Sequence, residues 1–411
     1  MSPAQLKDYL RRIEGDLRGN ILPFWMERVV NREGGSFFGS LANDLAVDRD
    51  AERGALLTSR ILWTYSAAYA RYRDPSYLAM ADHAYGDLQA HFHDPKNGGY
   101  WWSVSADGTV LRDRKQIYGQ AFAVYALSEY HAATGRREPL DLAIEAHRLI
   151  ERHARARDGG YLEAFGRSWE PISDMRLSEV DLNEPKSQNT HLHVMEAYTR
   201  LLSVWPDTAL RSALAEIVTI MLDRIVNPAT GHLGLFFSED WALRSQLISY
   251  GHDIEAAWLL TWAADVLGDA GLIGRIRPLA VKIAAVTLTE GVDTDGGVQN
   301  QGGPDGLTDT NKEWWPQAEA VVGFLNAYQL SGEERFLSAA LRTWDFIEKR
   351  LIDRREGEWF RGVTRDGRVL GSELKVSFWK CPYHNGRTGL EATRRLREIL
   401  NETRKTVIPH P

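Results

Sequence analysis

Residues 187–201, SQNTHLHVMEAYTRL, have the composition of a helix start that carries polar groups. Asn189 or Thr190 is expected to cap this helix, and apolar residues follow at helical spacing. His193 and Glu196 stand three positions apart, so their side chains share one face of the helix. The stretch therefore predicts a helix whose first turns present a histidine and a carboxylate on the same side.

Two later stretches have the same form. Residues 251–258, GHDIEAAW, place His252 and Glu255 three positions apart directly after a glycine. Residues 379–387, WKCPYHNGR, place His384 where a further helical pattern begins. We expect the rest of the chain to be a scaffold that brings these three helix starts to one mouth.

A loop of glycines followed by aromatic or apolar residues recurs at intervals of about 60 to 70 residues, which indicates a repeated structural unit. Each interval has room for two helices of ordinary length. The loops are GGSFF at 34–38, GGYWW at 98–102, GGYL at 159–162, GHLGLFF at 231–237, GGV at 296–298 and GEWF at 357–360.

Apolar periodicity predicts twelve helices between these loops. Six helix pairs in a closed array form an (α/α)6 barrel, so we expect an all-α fold with short hairpins in its loops and a single domain over residues 1–411. An open solenoid and two separate bundles are the alternatives. The predicted helices span about 3–30, 51–72, 76–92, 115–134, 138–155, 189–204, 207–226, 249–267, 270–286, 312–330, 333–351 and 385–400.

Composition narrows the classes of function. A formal net charge of −7, with scattered basic residues, argues against nucleic acid as the main partner. Neither a signal peptide nor a membrane helix of about 20 apolar residues is recognisable. The single cysteine, Cys381, favours a reducing cytoplasm.

Tryptophans beside the loop glycines suit stacking on sugar rings, and the long loop 166–186 is expected at the mouth. The sequence is compatible with a monomer.

The three histidines at helix starts, His193, His252 and His384, leave two interpretations open besides packing. The two His-x-x-Glu pairs with a third histidine could hold a divalent metal ion. Alternatively, each glutamate orients its histidine and tunes it for proton transfer. The His-Glu-x-x-His, Gly-x-Ser-x-Gly and P-loop motifs are absent from the sequence.

Four other residues have both a structural and a functional interpretation. Arg60 lies on an otherwise apolar helix face, where it forms a charge pair or donates hydrogen bonds to a sugar oxygen. Tyr118 and Glu319 open helices beside glycine or tryptophan, where packing is an equal alternative. His191 alternates with His193 and points elsewhere, which favours packing or support.

Five blocks, spread in order over nearly the whole chain, resemble the N-acylglucosamine 2-epimerase superfamily, and within it the cellobiose 2-epimerases. They are RILWTY at 60–65, NTHLH at 189–193, GHDIE at 251–255, KEWWPQ at 312–317 and PYH at 382–384. The resemblance implies an (α/α)6 barrel and reversible inversion at C2 of a reducing-end sugar, without a metal or nucleotide cofactor. Cellobiose would give glucosyl-mannose, and lactose would give epilactose.

The resemblance also implies roles for individual residues. The family's acid/base histidines fall on His252 and His384, its third essential histidine on His193 and its sugar-binding arginine on Arg60. Its binding positions fall on Tyr118, Asn189, Glu255, Trp258, Trp315, Glu319 and Trp379, with Trp314 as the adjacent alternative to Trp315.

The implied chemistry needs two bases, because inversion requires a proton to leave one face of C2 and return to the other. We hypothesise that His252 and His384 alternate as base and acid, while Arg60 and His193 stabilise the enediolate. An aldose–ketose isomerase, an N-acylglucosamine 2-epimerase and a non-catalytic sugar-binding barrel remain alternatives. A glycoside hydrolase is a further alternative. It would need two carboxylates that flank the scissile bond, and Glu255 and Glu319 are the candidates.

Overall fold

The computed structural model describes residues 1–407, with side chains described as far as residue 402. In this range twelve main helices follow one another in six pairs, and the one-turn segment Leu22–Phe24 is the only further α-helix. None of the helices in this range is long and apolar enough to span a membrane. The twelve are α1 (Pro3–Asp16), α2 (Ala55–Tyr72), α3 (Pro75–Asp87), α4 (Ile117–Thr134), α5 (Arg137–His153), α6 (Gln188–Val204), α7 (Thr208–Ile220), α8 (Tyr250–Leu267), α9 (Ala270–Val286), α10 (Trp314–Ser331), α11 (Glu334–Phe346) and α12 (Tyr383–Val407).

The even-numbered helices form an inner ring, and the odd-numbered helices form an outer layer. Each inner helix packs against the next, and α12 packs against α2, so the ring closes. The inner helices α4, α8 and α10 bury most of their residues, as expected for helices covered on both sides. The outer helices α5 and α11 bury one face only. This arrangement confirms the predicted (α/α)6 barrel.

Five outer helices end in a π-helical turn, which the sequence analysis did not predict. The predicted helices 76–92, 207–226 and 333–351 each consist of an α-helix followed by such a turn, and the predicted helix 3–30 contains two. Hydrophobic periodicity does not separate the two forms, because one π turn shifts the apolar stripe only slightly. The π turns are Leu17–Ile21, Trp25–Val29, Leu88–Phe92, Met221–Ile225, Thr287–Gly291 and Ile347–Leu351.

Long loops run from each outer helix to the next inner helix, so they all lie at the end of the barrel where the inner helices begin. Short antiparallel strands pair within these loops or between neighbouring loops, in the order β1-β2, β3-β4-β5, β6-β7, β8-β9, β10-β11-β12 and β13-β14. The strands are β1 (Val30–Asn31), β2 (Ser36–Phe37), β3 (Arg53–Gly54), β4 (Ser103–Val104), β5 (Val110–Arg112), β6 (Lys115–Gln116), β7 (Ala164–Phe165), β8 (Lys186–Ser187), β9 (Phe236–Phe237), β10 (Ile248–Ser249), β11 (Gln301–Gly303), β12 (Gly306–Asp309), β13 (Lys312–Glu313) and β14 (Gly362–Val363).

A polar side chain in the first turn of four inner helices fixes the glycine loop that precedes it. Each side chain hydrogen-bonds the backbone of a residue in or directly after the glycine loop, which satisfies a buried peptide group. The pairs are Gln120 with Tyr100 N and O at 2.8 and 2.7 Å, His191 with Tyr161 N at 3.0 Å, Asp253 with Leu233 N at 2.9 Å, and Gln317 with Val298 N and O at 2.6 and 2.7 Å.

His191 is therefore part of the scaffold. Its Nε2 accepts the Tyr161 N–H, and its Nδ1 donates to the Ser187 carbonyl at 2.6 Å. Burial lowers the pKa of His191 to about 4, so the ring is neutral at physiological pH. Gly160 has φ +73°, and a Cβ there would lie 2.5 Å from His191 Nε2, which explains why the loop carries glycine at this position.

The expected cap of α6 was wrong by two or three residues. Ser187, rather than Asn189 or Thr190, caps the helix, and its Oγ accepts the Thr190 N–H at 3.1 Å. The reason lies outside the helix: Lys186 and Ser187 form a strand that pairs with the next loop, so Ser187 has the extended backbone that an N-cap requires.

Replacing Gln120 by Ala tests the side-chain hydrogen bonds that join the loops to the inner helices. The substitution leaves the buried N–H and C=O of Tyr100 without partners, so we expect the free energy of unfolding to fall by about 2 kcal/mol or more. Chemical denaturation measures it. The exposed Gln246→Ala variant is the control and should change stability by less than about 0.5 kcal/mol. Equal stability of the two variants would contradict the assignment.

Candidate active site

The inner helices begin around a cavity of about 1000 Å³, called here the front cavity. Its volume is in the range of small-molecule sites. Residues 175–182 of the long loop line it, so the loop lies at the mouth as expected. Its other lining residues include Trp102, Asn189, His252, Trp315 and Trp379.

Two of the three predicted histidines are each held by a glutamate. His193 Nδ1 donates to Glu196 at 2.8 Å, and His384 Nδ1 donates to Glu319 at 2.7 Å. Because a carboxylate only accepts hydrogen bonds, Nδ1 carries the proton, and a neutral ring then has an unprotonated Nε2. No side chain or backbone group in the described part of the chain hydrogen-bonds either Nε2. Both rings are buried, and of the three histidines His252 lines the front cavity itself.

His252 is not held by Glu255, contrary to the expectation that each glutamate orients the histidine three residues before it. Its Nδ1 lies 2.9 Å from Ser249 Oγ. Glu255 instead accepts from Arg387 Nη2 at 2.5 Å, because a buried guanidinium attracts the carboxylate more strongly than a neutral imidazole does.

Trp315 contacts both of the histidines that flank it. Its ring centroid lies 4.7 Å from that of His252 and 5.7 Å from that of His384. Trp314 is buried away from the cavity, with the charged ends of Arg361 and Lys380 over its ring at 5.4 and 5.5 Å. Of the two adjacent tryptophans, Trp315 therefore faces the front cavity.

Arg387 is the centre of the charge network beneath the histidines. Its Nη2 donates to Glu255 at 2.5 Å and to Glu319 at 2.7 Å, and its Nη1 donates to Glu196 and contacts the Tyr383 hydroxyl. Tyr383 in turn donates to Glu196. The same two glutamates, Glu196 and Glu319, hold His193 and His384. One guanidinium thus positions the partners of both rings.

The network has three acidic groups for one cation, and their pKa values differ accordingly. Burial raises the pKa of Glu319, but the Arg387 charge and the His384 hydrogen bond outweigh this and bring it to about 2. The pKa of Glu196 is also lowered, since Arg387 and His193 outweigh burial. Burial and the Glu319 charge raise the pKa of Glu255 well above its usual value. Glu255 is therefore the carboxyl that takes up a proton first.

The three histidines are neutral at physiological pH. Burial lowers the pKa of His252 to about 3, with the neighbouring histidines adding to the effect. Burial also lowers the pKa of His384 to about 3, although the Glu319 carboxylate opposes it. The pKa of His193 is lowered in the same way against Glu196. In His193 and His384, whose Nδ1 carries the proton, the bare Nε2 is a proton acceptor.

A shared metal ion is disfavoured because the Arg387 guanidinium already bonds the carboxylates that would bind it. Ligand atoms of Glu255, Glu319 and His384 lie within 4.8 Å of one another, a grouping that would suit a divalent cation. The Arg387 guanidinium bonds both carboxylates there, so it supplies the positive charge that a cation would bring. The geometry favours orientation of His384 by Glu319.

Arg60 is a buried cation without a carboxylate partner in the described part of the chain. Its Nη2 donates to Tyr118 Oη at 2.7 Å, and its Nη1 lies 3.4 Å from the Trp379 carbonyl. Phe122 lies 4.3 Å beneath the guanidinium carbon. A buried charge with only neutral partners is costly unless a ligand compensates it. Arg60 therefore offers a fixed positive charge for an anionic centre.

Most of the loop tryptophans that suggested sugar stacking are packing residues. Trp359 is fully buried, Trp169 stacks on His153 and Trp241 packs on His191. Among the sites implied for binding, Trp258 lies behind Glu319, to which its Nε1 donates at 3.0 Å. The tryptophans that face the front cavity are Trp102, Trp315 and Trp379.

Arg387 and Tyr383 are site residues that were not predicted from the sequence. Arg387 is three residues after His384 in a stretch that was quoted only for its histidine. A signal was present: like Arg60, it places a charge in the first turns of a helix that is otherwise buried. Its three glutamate partners lie on three other helices, which spacing along the sequence does not relate.

Comparison with known proteins agrees with this geometry. The chain matches the N-acylglucosamine 2-epimerase (GlcNAc 2-epimerase) family over residues 35–384. It is 44% identical over 385 residues to a cellobiose 2-epimerase of Bacteroides fragilis, covering 93% of this chain and 97% of that protein. It is 39% identical over 382 residues to a cellobiose 2-epimerase of Dictyoglomus turgidum, covering 92% and 97%. The solved structure of cellobiose 2-epimerase from Spirochaeta thermophila matches with a TM-score of 0.89 and 41% identity, over 97% of this chain and 98% of that chain.

Replacing Arg387 by Met tests the charge network. Three buried carboxyl groups then lose their cation, so we expect the free energy of unfolding at pH 8 to fall by about 3–5 kcal/mol. The deficit should shrink at pH 5, because without Arg387 the pKa of Glu319 rises and the folded variant binds protons that the wild type does not.

Urea unfolding at both pH values measures this effect. The control is Arg275→Met, which removes an exposed pair with Asp223 and should cost about 1 kcal/mol or less. An Arg387→Met deficit that is the same at pH 5 and pH 8 would contradict the network.

Proposed function

The chain belongs to the N-acylglucosamine 2-epimerase family, a family of carbohydrate epimerases, and on that premise we propose that it is a cellobiose 2-epimerase. It inverts C2 of the reducing-end glucose of β-1,4-linked disaccharides, converting cellobiose to glucosyl-mannose and lactose to epilactose. The observation that carries this proposal is the pair of neutral histidines, His252 and His384, in contact with one tryptophan at the base of the front cavity.

Two proton-transfer groups are what inversion at a carbon requires. With the sugar ring open, the C1 aldehyde acidifies the C2 proton. One imidazole Nε2 takes that proton, and the electron pair of the broken C–H bond forms the enediolate. The second imidazole, neutral in the resting protein, takes up a solvent proton once the negative enediolate has formed and gives it to the opposite face of C2, and the first imidazole then releases its proton to solvent. Of the two, His384 is better suited to carry a charge, since Glu319 accepts its Nδ1–H, and the roles reverse for the reverse reaction.

The enediolate oxygens need positive charge and hydrogen-bond donors. Arg60, which has only neutral partners, lies beside Tyr118, whose ring makes an edge contact with His193 at 5.0 Å. We assign charge stabilisation to Arg60. His193, whose bare Nε2 is an acceptor, is assigned to take the C1 hydroxyl proton when the ring opens, after which its Nε2–H donates to the enediolate oxygen. Asn189, whose buried Oδ1 lacks a partner in the described structure, and Trp379 are assigned to substrate binding. Glu255, Glu319 and Trp258 support these residues from behind.

Two rival functions make different demands on the site. A glycoside hydrolase needs two carboxylates on either side of the scissile bond, whereas Glu255 and Glu319 both bond Arg387 beneath the histidines. An aldose–ketose isomerase would use the same residues but return the proton to C1. The two outcomes differ in the product, so an experiment separates them.

Proton NMR of lactose with the purified protein in D2O, after treatment with a chelator, tests the proposal. We expect epilactose with deuterium at C2, because the proton taken from C2 exchanges with solvent before another returns. A ketose product would mean an isomerase, and released galactose would mean a hydrolase. Unchanged lactose and unchanged cellobiose would contradict the proposed function.

The His252→Asn and His384→Asn variants test the two-base mechanism. Each removes one proton-transfer group, so we expect kcat to fall by about 10² to 10⁴-fold, with circular dichroism unchanged. The control is His131→Asn at the C-terminal end of α4, where the ring hydrogen-bonds the Arg136 carbonyl. Activity within tenfold of wild type in either active-site variant would contradict the assignment.

The pH dependence of kcat/KM tests the protonation states. Since the pKa values of His252 and His384 are about 3 in the free protein, we expect kcat/KM to change little from pH 8 to about pH 5. An acid limb centred near pH 6.5, the value for ordinary histidine, would contradict the neutral pair. Unfolded histidines bind protons below about pH 6.5 while these do not, so stability falls with falling pH, and circular dichroism must verify folding at each pH.

The partner that this proposal assigns is a small disaccharide. A monomer in the cytoplasm fits the acidic charge and the buried thiol of Cys381. Size-exclusion chromatography with light scattering tests the monomer directly.

A further inference from the structure

A second cavity lies inside the inner ring at the end where the inner helices finish. It has a volume of about 730 Å³ and is called here the rear cavity. Every inner helix contributes to its wall, from Trp63 on α2 to Arg395 on α12. The volume is within the range of small-molecule sites, and the catalytic roles assigned above do not use it.

The rear cavity meets the charge network from behind. Arg387 and Trp258 line it, and the Arg387 guanidinium carbon lies 4.7 Å from the Trp258 ring centroid. Both residues also hold Glu319, the partner of His384. A molecule in the rear cavity would therefore touch the groups that position a catalytic histidine from the opposite side.

Aromatic faces form one part of the wall. Trp63 and Tyr125 stack with ring centroids 5.3 Å apart and planes 21° apart, and Trp262 lies 6.4 Å from Tyr125. The buried indole N–H of Trp63 and the Nε of Arg387 and of Arg395 have no hydrogen-bond partner within the described residues. These three donors are enclosed by protein, but the wall also carries the hydroxyl of Thr261 and the amides of Asn326 and Gln329. Aromatic side chains beside neutral polar groups suit an oxygen-rich ring.

Most of the charged side chains of the wall are paired with a group of opposite charge. Arg200 pairs with Glu129 at 2.6 Å, and Arg394 pairs with Glu391 and Glu398 at 2.7 Å each. Paired charges give little net attraction for an ionic ligand, but their oxygen and nitrogen atoms still bond hydroxyl groups. The ligand class that matches the wall is a neutral sugar.

We propose that the rear cavity is a second, non-catalytic binding site for a neutral sugar, which packs on the Trp63, Tyr125 and Trp262 cluster and reaches Trp258 and Arg387. This inference goes beyond the proposed function, because binding there does not require turnover.

The test uses methyl β-lactoside, whose locked ring cannot open and so cannot react. Indole N–H resonances of the ¹⁵N-labelled protein are followed during titration, assigned by single Trp→Phe variants. We expect two groups to shift: Trp315 and Trp379 at the front, and Trp63 and Trp262 at the rear. Crystals soaked in the same sugar should show it in both cavities.

The Trp262→Leu variant should weaken the rear binding event at least tenfold and leave the front event and the lactose turnover rate within twofold. The control is Trp205→Leu, a half-buried tryptophan that packs on His147 away from both cavities, which should retain both events. Shifts confined to the front tryptophans at saturation would overturn the proposal. So would rear resonances that respond to sulfate and not to sugar, which would mean an anion site.

Lactose turnover measured in the same samples keeps the two proposals separate. Epilactose formation without rear binding would overturn only the second site, whereas rear binding without any epimerisation would overturn only the proposed function.

Discussion

A buried guanidinium surrounded by three carboxyl groups is the interaction on which the site depends. Arg387 reaches from α12 to Glu196 on α6, Glu255 on α8 and Glu319 on α10. Removing such charges from water is expensive, and the cost is met only when each has a partner in good geometry. The network therefore fixes the four helices relative to one another. Two of its carboxylates, Glu196 and Glu319, also orient His193 and His384.

The barrel gives this network two unlike sides. All six inner helices start at the front, so their unsatisfied N–H groups and positive dipole ends face the region where the enediolate develops. They finish at the rear, where arginines on α6 and α12 accompany the negative dipole ends. The long loops that form the front mouth are held by side-chain hydrogen bonds, such as those from Gln120 to the Tyr100 backbone. The repeated orientation of the inner helices thus makes the front end of the barrel electrostatically more positive than the rear end.

Sequence reasoning recovered what is periodic or local. The period of the glycine loops and the apolar spacing of the helices gave six helix pairs, and the three helix starts with histidine do meet at one mouth. Local ambiguity explains the error at Ser187, because strand pairing with the next loop, not the cap preference, decides where α6 begins. The π turns were not predicted, because they shift the hydrophobic stripe too little to change the apparent periodicity of the sequence.

What sequence could not give is the choice among partners that are distant along the chain. Glu255 has the right spacing for His252 but bonds Arg387, and Glu319 has no sequence relation to His384 yet holds it. Several loop tryptophans that suggested sugar binding fill gaps between loops. These outcomes depend on which buried charges meet in three dimensions, and a single sequence carries no record of that.

The most direct test of the account is the protonation state of the histidines in the resting protein. ¹⁵N NMR of protein labelled at the imidazole nitrogens, with signals assigned by single His→Asn variants, reports the state of each ring. At pH 7 the account predicts that His193 and His384 are neutral, with the proton on Nδ1 and a bare Nε2. Imidazolium signals, or protons on Nε2, would contradict the claim that the Arg387 network prepares both rings to accept a proton.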